Sequence, residues 1–124
     1  MAAKRCAVKV TANFQANLDA VETFLAQADA PQVFAALLKD LAASVVPNLE
    51  RFPEMGRPFL ERPAESIEAR ERIERLESWL GPASLREYRA GDFLILYAMR
   101  DQTVYLLSIK HHRQLSFEFS AYWL

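Results

Sequence analysis

At 124 residues, 52% of them apolar, the chain is long enough to bury one hydrophobic core and short for two. Its single cysteine, Cys6, excludes an internal disulfide and the paired-cysteine spacings of metal and redox sites, so no metal or cofactor is expected and a reducing cytoplasm suits it. Fifteen Lys and Arg against sixteen Asp and Glu exclude the overall basic excess of a protein that embraces nucleic-acid phosphates; only Ser84 to Arg113, five basic residues against three acidic, leans positive.

The first residues lack the continuous apolar stretch of a secretory leader, and no segment reaches the roughly 20 apolar residues of a membrane span. Residues Ala7 to Phe14 read as a strand, with Val8 and Val10 on one side and Lys9 and Thr11 on the other. Asn17 stands as an N-cap before Leu18, Val21, Leu25 and Ala28 at helical spacing, with Asp19 and Glu22 in the first turn. Pro31 suits the first turn of a second helix, whose Phe34, Leu37, Leu38, Leu41 and Val45 form an apolar face until Pro47 disturbs it. The two helices are expected to form a hairpin.

Two prolines and a glycine between Arg51 and Phe59 predict a turn-rich loop. Glu65 to Leu80 reads as a third helix with Ile67, Ile73, Leu76 and Leu80 as a narrow apolar seam, stopped by Gly81-Pro82. Its Glu and Arg neighbours, such as Glu68 with Arg72 and Glu71 with Arg75, suit an exposed face. Beyond Pro82 come three extended runs, Leu85 to Arg89, Phe93 to Met99 and Thr103 to His111, separated by Ala90-Gly91-Asp92 and Asp101-Gln102. They predict an antiparallel meander whose middle strand is covered on both faces. The tail from Gln114 to Leu124, with Phe117, Phe119, Tyr122 and Trp123, is too apolar to stand in water alone and is expected to pack on the domain or on another chain.

Three stretches carry a family resemblance. They are Leu49-Glu-Arg-Phe-Pro-Glu-Met-Gly-Arg-Pro, Leu85-Arg-Glu-Tyr-Arg-Ala-Gly-Asp-Phe-Leu-Ile-Leu-Tyr97, and Val104-Tyr-Leu-Leu-Ser-Ile-Lys-His-His-Arg113. In this order they resemble the loop after helix two and the last three strands of the RelE/ParE superfamily, toxins of bacterial type II toxin–antitoxin pairs. The resemblance implies an α+β fold of N-terminal strand, helical hairpin, extra helix and three-stranded meander. Residues 1–124 are then one toxin domain, with a helical insertion at about 64–81 that departs from the usual pattern.

The superfamily contains ribosome-dependent mRNA endonucleases similar to RelE and gyrase poisons similar to ParE. RelE-like nucleases need no metal: basic side chains stabilise the transition state while a Tyr, His or Glu moves protons. Many carry an Arg three residues before the Tyr of the third strand, where this chain has Leu94, and a Tyr after the last strand, where the best match is Phe117. If the chain is a nuclease, the resemblance leaves Arg86, His111, His112 and Arg113 to carry the chemistry. The YoeB-like His-Tyr pair is absent because Arg113 follows His112. Each residue also has a plain structural reading. Tyr97 suits a core aromatic whose hydroxyl finds a partner. Alternation along a strand puts His111 and His112 on opposite faces. Arg86, Arg89 and Arg113 suit solvated strand charges or, with Tyr97 and Lys110, contacts to an antitoxin or target.

The expectation is therefore a ParE-like toxin that inhibits growth by binding a protein target such as DNA gyrase and is neutralised by a cognate antitoxin, in the setting of plasmid stabilisation. The antitoxin should have a DNA-binding part and a flexible segment that folds on binding. The alternatives are a ribosome-dependent mRNA endonuclease of RelE or YoeB type, and an inactive antitoxin-binding module. Homo-oligomerisation through the Glu/Arg helix stays open, and no membrane partner is expected.

Overall fold

A computed structural model describes residues 6–58 and 84–113, together with Glu71, Glu74, Arg75 and Ser78. In chain order the elements are β1 (Ala7–Val10), α1 (Ala12–Gln27), α2 (Pro31–Asp40), a π-helical turn (Leu41–Val45) and α3 (Val46–Arg51). They are followed by β2 (Arg57–Pro58), β3 (Ser84–Ala90), β4 (Phe93–Arg100) and β5 (Thr103–His111). The fold is α+β, with an N-terminal strand, helices and an antiparallel meander. The sheet order is β1-β5-β4-β3-β2, so the middle strand of the meander is also the middle of five. Two edge strands extend the expected meander: β1 lies parallel to β5, and the short β2 lies antiparallel to β3.

The N-terminal strand ends earlier than its alternation implies. Thr11 caps α1, its Oγ1 accepting the Phe14 N–H at 3.3 Å and donating to Leu106 O at 2.8 Å. Asn13 and Phe14 are therefore helical, and Asn17 is not a cap but a buried residue inside α1. Its Oδ1 accepts from Ser108 Oγ at 2.6 Å and Ile109 N at 3.1 Å, and Asn13 Nδ2 donates to Leu107 O at 2.7 Å. The physical reason is the sheet edge. β1 pairs with β5 only as far as Leu106, and the two asparagines then satisfy backbone groups that a longer strand would have taken. A register shift between Leu96 and Tyr97 marks a bulge on β5 at this place.

Pro47 does not break the second helical run. The chain widens into the π-helical turn just before it, Val46 N bonding to Leu41 O, and then continues to Arg51. Proline removes one N–H and crowds the carbonyl four residues back, and a wider turn accommodates both.

The helices cover one face of the sheet. Phe14, Leu18, Leu37, Leu41, Val45 and Leu49 pack against Phe93, Ile95, Tyr97, Val104, Leu106 and Ile109. At about 1.5–3 kcal/mol for each large apolar side chain withdrawn from water, this layer is the main driving force of the fold. Leu38 departs from the expected helical face and is exposed, while Phe34 only partly packs. The opposite face of the sheet is also buried at Leu85, Leu96, Ala98 and Leu107.

The hairpin turns match their residues. Gly91 takes φ +58° between β3 and β4, while Asp101 and Gln102 both take positive φ between β4 and β5. In the Glu/Arg segment, Glu71, Glu74, Arg75 and Ser78 are helical and exposed, and its other residues lie outside the described ones. The aromatic tail from residue 114 also lies outside them. Among the described residues no helix is long and apolar enough to cross a membrane.

Candidate functional site

The residues singled out by sequence fall into two groups at opposite ends of the sheet. Arg86 pairs with Tyr97 across β3 and β4, whereas His111 pairs with Phe93 at the other end of β4. Four residues of strand separate these positions, about 13 Å at 3.3 Å per residue. The structure thus places Arg86 beside Tyr97 and the histidines beside Phe93, without direct contact between the two groups.

At the first end, β3 and β4 hold the proline-glycine loop. The Tyr97 hydroxyl donates to Pro53 O at 2.8 Å and accepts the Gly56 N–H at 2.9 Å. Arg86 Nη1 donates to Glu54 O at 3.0 Å and to Gly56 O at 2.8 Å. Gly56 is at this spot because backbone and ring approach too closely for a side chain: an added Cβ would lie 2.5 Å from Glu87 O. Asn48 Nδ2 donates to the Tyr88 hydroxyl at 3.1 Å beside this anchor. Burial raises the Tyr97 pKa, against the lowering effects of the Gly56 N–H and the Arg86 charge. Tyr97 is thus a neutral, inaccessible phenol, ill placed to exchange protons with a substrate. The loop it holds keeps Phe52 and Met55 exposed. The signal for this anchor lay in the Pro-x-x-Gly spacing, but its partners are remote in sequence.

At the second end, β5 stops at His111 and the chain turns, so the alternation expected of the two histidines fails. Their rings lie 4.4 Å apart at 36°, and His111 meets the Phe93 ring edge-on at 5.5 Å. Arg113 N donates to His111 Nδ1 at 3.2 Å. His112 Nδ1 lies 3.2 Å from Asp92 O, and its own N–H donates to the same carbonyl at 2.8 Å. The two Nδ1 atoms thus have opposite partners, a backbone N–H at His111 and a carbonyl oxygen at His112. The His111 pKa is lowered, first by burial and then by His112 and Arg113, with Asp92 opposing.

The other predicted contacts differ in exposure. Arg89 is exposed, its Nε donating to Gly91 O at 3.2 Å, and Arg113 is exposed. Lys110 is only 4% exposed and Tyr97 is fully buried, so neither offers a surface contact. Among the described residues, no three His, Cys, Asp or Glu side chains gather as a metal site requires.

A family model described as ParE toxin of type II toxin-antitoxin system, parDE, matches residues 8–116. No curated protein matches the chain.

Proposed function

The chain belongs to the ParE toxin family of type II toxin–antitoxin systems, and from that premise we propose that it acts by binding a protein target, DNA gyrase first among them, rather than by cutting RNA. The observation that carries this reading is the use made of Arg86 and Tyr97. Both hold the Pro53–Gly56 loop in place, and the strand position where an RNA-cleaving relative would carry an arginine is Leu94. What the loop presents is apolar surface, Phe52 and Met55, which suits contact with protein. A cognate antitoxin is the second partner. The same reading takes residues 1–124 as one domain, with about 64–81 as its helical insertion, working in the cytoplasm.

The test is supercoiling by purified gyrase with the chain added at micromolar concentration. Inhibition relieved by the antitoxin is the expected result, and undisturbed supercoiling overturns the target.

The histidine corner supports a second reading, a ribosome-dependent endonuclease. Two adjacent imidazoles whose Nδ1 atoms meet opposite partners are the elements of an acid–base pair, with Arg113 beside them. Translating ribosomes whose mRNA stays intact with the chain present would remove it. So would undiminished toxicity of a His111→Ala/His112→Ala double variant.

A further inference from the structure

The loop held by Tyr97 and Arg86 lies against a cation that has no countercharge among the described residues. Arg86 is half-buried, and its Nη1 is engaged by two carbonyls, Glu54 O at 3.0 Å and Gly56 O at 2.8 Å, one on each side of Met55. Both acceptors are neutral. Its Nε is buried and meets no acceptor, and no carboxylate of a described residue lies within ion-pair reach of the guanidinium. Such a cation has lost part of its hydration without gaining a partner of opposite sign.

The surface beside it is apolar. Phe52 is 63% and Met55 48% exposed, and Arg51 to Met55 line an open groove of about 500 Å³. Bonds from Tyr97 and Arg86 fix the loop backbone at Pro53, Glu54 and Gly56, so the groove is set before a partner arrives and its ordering costs little. Arg57 stands opposite Glu87 across β2 and β3, which leaves Arg51 and Arg86 against the exposed Glu54 in the local balance of charge.

We propose that the loop and Arg86 together dock a protein segment in which one carboxylate is flanked by apolar side chains. The carboxylate meets the accessible part of the Arg86 guanidinium, and its apolar neighbours cover Phe52 and Met55. A nucleic acid is the poorer occupant, since it would draw a charge at every nucleotide past Glu54, on a chain whose net charge is -1. Assigning the segment to the toxin's target rests on the reading above, whereas the chemistry of the docking site does not.

The test uses the full chain, isotopically labelled, titrated with a capped Ser-Leu-Glu-Leu-Ser peptide and with its counterpart carrying Gln in place of Glu. The side-chain Nε–H resonance of Arg86 and the amides of Phe52 and Met55 should shift with the Glu peptide, and the Gln peptide should bind roughly tenfold more weakly. In Arg86→Gln that preference should disappear, a ratio read on folded protein and so independent of any loss of stability. Phe52→Ser/Met55→Ser changes two exposed side chains, and should weaken both peptides alike while leaving the melting temperature unchanged. Equal binding of the two peptides by the parent chain, shifts confined to another surface, or a single-stranded RNA oligonucleotide displacing the Glu peptide from these residues would each overturn the proposal. Gyrase inhibition that survives Phe52→Ser/Met55→Ser keeps the target and overturns this proposal; peptide binding with undisturbed supercoiling keeps this proposal and overturns the target.

Discussion

Gly56 and Tyr97 are locked together: the glycine N–H donates to the tyrosine hydroxyl at 2.9 Å, and a Cβ on the glycine would stand 2.7 Å from that same oxygen. The contact needs both the smallest residue and the hydroxyl. Gly56→Ala should therefore force the loop off the sheet, because Glu87 O behind it is backbone and has little room to yield. The expected loss is about 2–3 kcal/mol, in the range for overpacking, read as a lower urea midpoint at unchanged slope.

Tyr97→Phe keeps the ring in the core but leaves the Gly56 N–H and Pro53 O without their shared partner. A cost of about 1–3 kcal/mol is expected. Target inhibition per folded molecule should fall only modestly, because the hydroxyl supports the loop that presents Phe52 and Met55 while Arg86 still holds Glu54 O and Gly56 O. Inhibition abolished while Phe52 and Met55 keep their wild-type exposure would give Tyr97 a chemical role and defeat the binding reading.

Asn17→Ala should cost about 2–3 kcal/mol, since it strips the acceptor from both Ser108 Oγ and the buried Ile109 N–H. The local signature is faster hydrogen exchange at the Ile109 amide than at Ile95 on β4. Equal acceleration at both would mean that only global stability had changed.

Two groups give stability a pH dependence at opposite ends of the scale. The folded-state pKa of His111 is lowered, chiefly by burial, so its contribution is complete above the ordinary histidine value of about 6.5 and is lost as pH falls through the lower folded value. Tyr97 is raised by burial, so its contribution holds below about pH 10 and is lost as pH rises beyond it. Urea midpoints should fall on both sides, His111→Asn flattening the acid limb and Tyr97→Phe the alkaline one. An acid limb unchanged in the histidine variant would place its cause elsewhere.

Much of this was legible before any coordinates. Strands β3, β4 and β5 end within a residue or so of their predicted limits, because alternation and turn chemistry are local. The cap expected at Asn17 fails because a side-chain oxygen that caps a helix serves equally well as a buried acceptor, and only the end of β1 decides between them. The break expected at Pro47 is absent because a missing N–H ends a helix only if the turn before it keeps its usual width. For the candidate site, residue types were informative but roles were not. Arg86 and Tyr97 are tied to carbonyls thirty or more positions away, and the two histidines meet because β5 stops between them, neither of which leaves a mark in the local pattern.

The pairing of β1 with β5 has a consequence for synthesis. The first strand of the chain is completed by the last one described, so the sheet cannot close until residues 103–106 have been made. The helices meanwhile lack the strands they pack on, since the apolar layer facing them comes from β4 and β5. Pairings this distant in sequence form slowly. A nascent chain on the ribosome therefore carries its helices without its sheet until residues 103–106 have emerged, which leaves an antitoxin already present time to arrive.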